Sequence, residues 1–240
     1  MSREEQQENK SLGLELEKII FIGRTYEEYM SMFNLTAEDL HGRSILDCPG
    51  GACSFSSHAR RHGADSMAAD IAYEHEIDQL ELKGQLDVEH TIEQLEQVRD
   101  RYKWDYFGSI DGLKQARMSA LRDCTADMRS YPMQYVYVEL PVLPFNDDQF
   151  DMTLSAHFLF TYADRLDFTF HERTILELLR VTRQELRIFP TVDLSGKRYE
   201  YMDKIMSSLK NHGFSVTEVS TTYEFQQGAH TMLKITKPES

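Results

Sequence analysis

The stretch Ser44-Ile45-Leu46-Asp47-Cys48-Pro49-Gly50-Gly51-Ala52-Cys53-Ser54-Phe55 decides the fold. Its opening, Ser44 to Cys48, reads as a buried strand that carries an acid near its end. A proline and two adjacent glycines then turn the chain, and a glycine pair permits both close backbone approach and left-handed dihedrals. A helix over about 53–62 follows, with Gly63 in the position just past it. Outward from this unit the chain keeps alternating. Residues 65–70 (DSMAAD) form a weaker strand. Residues 134–138, 150–155 and 185–189 are further strands, rich in β-branched and aromatic residues. Helices are expected over about 168–181 and 198–212, the latter stopping at Gly213. The tail, FSVTEV and then HTMLKIT, gives two more strands joined by a loop. Strands separated by helices imply a parallel sheet in an α/β layer fold, with the closing pair antiparallel.

One stretch breaks this rhythm. More than sixty residues, from about Ile71 to Met133, separate the second and third strands, far more than a crossover needs. Leu80 and Leu82, then Ile92, Leu95 and Val98, then Leu113, Ala116 and Leu121 recur at helical spacing. The segment of about 74–133 is therefore expected to be a helical insertion, and residues 1–42 an N-terminal helical segment before a main domain over 43–240. In that first segment Leu14, Leu16, Ile19, Ile20 and Ile22 give an apolar run. Tyr26, Tyr29, Met30 and Phe33 follow at helical spacing, and Thr36 with Asp39 resembles a cap for a short helix ending near Gly42.

Composition narrows the function classes. The 240 residues are 41% hydrophobic, enough for a core without disulfides. Cys48, Cys53 and Cys124 have no framework spacing and read as buried, reduced thiols. The 26 Lys plus Arg against 40 Asp plus Glu give a net charge of −14, a field that repels phosphate backbones and anionic lipids. No nucleic-acid or membrane partner is expected on that ground. No apolar run approaches the ~20 residues of a membrane helix, and the charged start lacks an export signal, so a cytoplasmic location is expected.

Ligands of an open parallel sheet lie at the carboxyl ends of its strands. Asp47 enters the first such turn, and Asp70 ends the second strand 23 residues later, where an acid can accept both hydroxyls of a ribose. The turn is not the G-x-G-x-x-G dinucleotide fingerprint, and Pro49 removes an N–H that a pyrophosphate would use. A nicotinamide-dependent oxidoreductase is disfavoured for both reasons.

With these residues the chain resembles class I S-adenosylmethionine-dependent methyltransferases. Their first motif, an apolar strand, an acid and a G-x-G-x-G turn, is represented by ILDCPGGACSF. The central glycine falls on Gly51, the first on Pro49 and the third on Cys53. The segment Glu139-Leu140-Pro141-Val142-Leu143-Pro144-Phe145-Asn146-Asp147-Asp148-Gln149-Phe150-Asp151 resembles the family's acid-x-x-x-LPF-x-(D/N)-x-x-FD pattern. The resemblance implies a Rossmann-like, mostly parallel seven-stranded sheet with helices on both faces and S-adenosylmethionine as cofactor. It assigns cofactor binding to Asp47, Pro49, Gly50, Gly51, Asp70, Ile71, Glu139, Leu140 and Ser155. Glu139 would meet the adenine amino group, and the Leu140 N–H would meet the ring.

Methyl transfer from a sulfonium is an in-line displacement in which the protein supplies alignment, desolvation and sometimes a base. His157, at the end of the fourth strand, is the candidate base, although a histidine beside Phe158 and Phe160 is more often structural. Tyr26, Tyr29 and Tyr162 are weaker candidates for lining the site. His58 and His62 stand at i, i+4 without a third ligand and read as a solvated pair, so no metal is expected. The chain lacks the Asn/Asp-Pro-Pro-aromatic and Pro-Cys segments of nucleic-acid methylating enzymes, which favours a small-molecule acceptor. The expected function is a small-molecule methyltransferase. The alternative is a non-catalytic protein that keeps the fold to bind the cofactor or a partner. The insertion is expected to act as a lid, with Trp104, Tyr106 and Phe107 supplying apolar contact, or to serve only as scaffolding.

Overall fold

The computed structural model describes residues 20–238, so Leu14, Leu16 and Ile19 lie outside the described residues. The chain runs α1 (Tyr26–Met32), β1 (Ser44–Asp47), α2 (Phe55–Arg61), β2 (Asp65–Asp70), α3 (Ile77–Gln97), α4 (Ile110–Ser130), β3 (Tyr135–Tyr137), β4 (Phe150–Ala156), α5 (Phe168–Val181), β5 (Thr182–Phe189), α6 (Met202–Asn211), β6 (Ser215–Ser220) and β7 (Thr231–Thr236). The seven strands form one sheet in the order β3-β2-β1-β4-β5-β7-β6. All neighbours through β5 are parallel, while β7 runs antiparallel to both β5 and β6. This is a Rossmann-like sheet: the doubly wound order 3-2-1-4-5, closed by an antiparallel pair. The order reverses between β1 and β4, so the switch point lies beside the glycine turn.

Helices cover both faces because the strands are apolar on both. On one face Ile45, Met152, Leu154 and Ala156 pack with Tyr29, Phe33, Phe55, Val88 and Leu113. On the other, Leu46, Leu186 and Ile188 pack with Ile175, Leu178 and Leu179 of α5 and Met202, Ile205 and Leu209 of α6. The insertion folds as an antiparallel helix pair. Asp78 and Glu81 meet Arg129, Gly84 lies against Leu121, and Glu89 meets Lys114, so the two helices run past each other in opposite directions. A Cβ on Gly84 would sit 2.5 Å from Leu121 Cδ1, so the glycine is what lets the helices approach.

Two local expectations are corrected. Residues 36–42 form turns rather than a short helix: the Thr36 N–H and hydroxyl both donate to Asp39 Oδ2, at 2.8 and 3.1 Å. The capping box lies earlier. Thr25 N donates to Glu28 Oε2 at 2.9 Å, and Thr25 Oγ1 accepts from Glu28 N at 3.3 Å, starting α1.

Candidate functional site at the strand ends

Asp47 and Asp70 close β1 and β2 and flank the glycine turn, but neither is open to solvent, at 1% and 6% exposure. The Asp70 carboxyl is held by two backbone donors at 2.8 Å: Gly51 N to Oδ2 and Ala72 N to Oδ1. Asp47 Oδ1 accepts from the Tyr29 hydroxyl at 3.0 Å. Burial pushes both carboxyls above the usual aspartate value, and for Asp47 the neighbouring Asp70 adds to the rise. Gly51 takes a positive φ of 52°. Its carbonyl accepts from the Tyr73 hydroxyl at 2.8 Å and from the Cys124 thiol at 3.7 Å. A Cβ on Gly50 would lie 2.6 Å from the Tyr73 oxygen. The glycine that a ligand would approach is thus covered by the chain's own Tyr73. Pro49 is half-buried in the same turn.

The adjacent edge is more open. Ile71 follows Asp70 and is 46% exposed. The register Asp70↔Tyr137 sets the end of β3 beside it, and Glu139 is exposed two residues further on, accepting from the Tyr137 hydroxyl. Leu140 is half-buried against the apolar cluster of α5 and α6. Acid, apolar side chain and second acid therefore lie on one rim, which offers carboxylate acceptors on either side of an apolar surface.

Ser155 lies elsewhere. Its strand neighbours Leu154 and Ala156 face α1 and α2, so Ser155 faces the α5 side, where its Oγ is buried without a partner. It shares no face with Asp47. His157 sits just past β4 at a φ of 51°, a region non-glycine residues seldom occupy. Its N–H donates to the Phe189 carbonyl at 2.6 Å, its ring meets Phe189 edge-on at 5.5 Å, and its Nε2 is buried without a partner. Burial, with Arg24 and Arg117 nearby, holds its pKa well below the usual histidine value. The neutral imidazole is therefore present at physiological pH, but a proton taken up there would be held weakly.

The feature that sequence reading missed is a buried ion pair at the same end of the sheet. Glu28, fully buried, receives both arms of Arg117 from α4, at 2.5 and 2.9 Å, and the Tyr223 hydroxyl at 2.7 Å. Burial alone would raise the Glu28 pKa, but the Arg117 guanidinium outweighs it and holds it low. The only signal available was the capping box Thr25-x-x-Glu28, and nothing in it points to α4. Among the other candidates, His62 is exposed and His58 half-buried. Tyr26 stacks on both rings, and His58 Nε2 lies 3.0 Å from Asp123. Tyr162 packs edge-on with Phe158. The three cysteines are buried and free. Among the described residues no group of three metal-ligating side chains converges, and no helix is long and apolar enough to cross a membrane.

No protein-family model matches the chain. Similar solved structures include the magnesium protoporphyrin IX methyltransferase ChlM from Synechocystis PCC 6803 with bound SAH. It is 14% identical, with 89% of this chain and 84% of that chain covered and a TM-score of 0.49. Another is the 1,6-didemethyltoxoflavin-N1-methyltransferase of Burkholderia thailandensis, 11% identical over 88% of this chain and 78% of that one, with a TM-score of 0.48. Likenesses this distant say nothing of activity, and the fold stands on the strand order itself. An uncharacterized protein of Methanocaldococcus jannaschii, MJ0045, is 32% identical over 223 residues, spanning 92% of this chain and 98% of that protein. A match of that extent places the two in one family, and this chain, with its Rossmann-like seven-stranded sheet, belongs to it.

Proposed function

We propose that the protein is an S-adenosylmethionine-dependent methyltransferase acting on a small-molecule acceptor. The observation that carries this reading is the placement of Asp70. It ends β2, is fixed against the Gly51 N–H at 2.8 Å, and stands beside exposed Ile71 and Glu139 on one rim. Each Asp70 oxygen uses one lone pair on the backbone and keeps another for a ribose hydroxyl. Ile71 and Leu140 would flank the base, and Glu139 would accept from its amino group. When bound, the cofactor supplies an electrophilic methyl group on sulfur. The chain's part is to align the acceptor and exclude water at the buried ends of β1 and β4. His157 would orient the acceptor through its neutral ring; its depressed pKa makes it a poor store for a proton.

A second reading, a protein that keeps the fold without turnover, is favoured by the Tyr73 hydroxyl seated over Gly50. Ligand binding tests both readings, and turnover separates them. S-adenosylhomocysteine and S-adenosylmethionine should raise the melting temperature by mass action on the native state, whereas NAD and NADP should not. Asp70→Ala should weaken binding by about ten- to a hundredfold, the loss of a charged acceptor. Absence of any shift with either sulfur nucleoside would sink both readings. Binding without release of S-adenosylhomocysteine in a metabolite-extract assay would select the second.

A further inference from the structure

Residues 22–26 lie in step along residues 51–54, so that the chain before α1 crosses the glycine turn as a strap. Over Gly51 stands the Ile22 carbonyl oxygen, 3.7 Å from where a Cβ would lie; apart from the chain neighbours of Gly51, no other heavy atom among the described residues comes within 4 Å of that point. A Cβ on Gly23 would overlap the Ala52 carbonyl and lie 2.7 Å from Cys53 N, so the two backbones touch there and only glycine fits. The Arg24 N–H donates to Cys53 Sγ at 3.2 Å, and the Arg24 carbonyl accepts from Ser54 N at 3.0 Å. The Tyr26 N–H, donating to Ser54 Oγ at 3.0 Å, ends the series. With the Tyr73 oxygen against Gly50, both glycines are covered by the chain itself.

The strap is held firmly at its ends and weakly in its middle. At the front Phe21 is buried with Ala52, Ala68 and Leu80, and its N–H donates to Asp87 Oδ2 on α3 at 2.7 Å. At the back the capping box fixes Thr25. Between these ends, the backbone hydrogen bonds from strap to turn are the two at Arg24, and one of them goes to sulfur, a weak acceptor. The closed arrangement also leaves Arg24 Nε buried without a partner, with only a 3.5 Å contact from Nη1 to the Gly23 carbonyl. An unsatisfied buried donor is a cost of the closed state that water removes when the strap lifts. A segment held in this way opens locally, at a free energy below that of global unfolding.

We infer that residues 22–24 are an autoinhibitory strap: they occupy the glycine turn in the free protein, and a ligand of that turn binds by displacing them. That the ligand is a sulfur nucleoside rests on the methyltransferase reading above; the covering of the turn does not. Displacement sets the sign of the test. Apparent affinity is the intrinsic affinity multiplied by the fraction of molecules with the strap lifted. A substitution that loosens the closed strap therefore tightens binding, whereas loss of a residue that holds the ligand weakens it.

The test compares wild type, Gly23→Ala and Asp87→Ala by calorimetry with S-adenosylhomocysteine and by hydrogen exchange. Gly23→Ala forces the middle of the strap off Ala52. Asp87→Ala removes the acceptor of the Phe21 N–H and is the milder change should the first variant fail to fold. Both are expected to melt earlier than wild type and yet to bind S-adenosylhomocysteine about three- to thirtyfold more tightly. In the free variants exchange speeds up at the Arg24 and Ser54 amides while β1 and β4 keep their protection. In wild type, adding S-adenosylhomocysteine speeds exchange at Arg24. Equal affinity in wild type and the folded variants overturns the strap. Weaker binding by the variants overturns it too, and would make residues 22–24 a wall of the site. So does faster exchange throughout β1 and β4, which would make the segment part of the core. If neither wild type nor variants bind S-adenosylhomocysteine, the methyltransferase reading fails instead, and the exchange pattern of the free proteins decides the strap alone.

Discussion

At Glu28 a single carboxylate joins three parts of the chain that are distant in sequence: its own helix, Arg117 on α4 and Tyr223 before β7. Breaking a buried pair from one side strands the other charge. Glu28→Ala should therefore cost about 3–5 kcal/mol in chemical denaturation. Glu28→Gln with Arg117→Met should cost much less, because no uncompensated charge remains. Equal losses in the two proteins would show that packing, not charge, holds the junction. Asp47 behaves in the opposite sense. Its folded pKa is raised, so its contribution to stability is fullest below the unfolded value and is lost as pH climbs through the folded one. Asp47→Asn keeps an acceptor for Tyr29 and removes the titration. The melting temperature of that variant relative to wild type should rise steadily between pH 4 and pH 8. A flat difference would mean that the carboxyl ionises in the folded state as readily as in the unfolded one, so that its pKa is not raised.

The glycine turn shows what an element adds to its residues. The sequence reads Gly50 and Gly51 alike, as freedom for a ligand to approach. In the structure they differ: Gly51 is required by its φ of 52°, and Gly50 by the Tyr73 oxygen 2.6 Å from where its Cβ would lie. Gly50→Ala should destabilise by about 1–3 kcal/mol through overpacking. In a Tyr73→Phe background, where the offending oxygen is gone, the same change should cost clearly less; the Ala68 Cβ at 3.0 Å keeps the relief incomplete. If the two changes simply add, Tyr73 does not cover the turn. The same contrast marks what was legible. The strands, α5 and the strand-end acids follow from periodicity and position, which are local. The cover of Tyr73 over Gly50, the Arg117–Glu28 pair and the placement of Ser155 on the opposite face depend on which distant elements meet. The capping box is local too, but Thr25 and Thr36 each have an acid three residues on, and only packing decides which of them starts a helix.

Across the whole molecule, the insertion is tied down at both ends of its helix pair. Near its base, Leu80, Leu121 and Cys124 pack against Phe21, Ala52 and Ala68 beside the glycine turn. At its tip, Trp104 and Phe107 meet Phe225 edge-on at 5.3 and 5.0 Å, and Tyr106 meets Tyr223 at 5.3 Å. The tip thus rests on the loop between β6 and β7, whose Tyr223 also holds Glu28. A segment that both walls the buried strand ends and shares their ion pair cannot move without loosening that loop. Insertion and loop should therefore open as one unit, with a free energy below that of global unfolding. Trp104→Leu removes the Trp104–Phe225 contact at the tip and the indole N–H bond to the Arg99 carbonyl at 3.0 Å. We predict that in this variant hydrogen exchange speeds up together in residues 98–110 and 221–230, while β1, β4 and β5 keep their protection. Affinity for S-adenosylhomocysteine, whose proposed rim residues lie at the ends of β2 and β3, should change less than threefold. Faster exchange confined to 98–110 would make the tip an independent flap, and faster exchange everywhere would make Trp104 part of the global core.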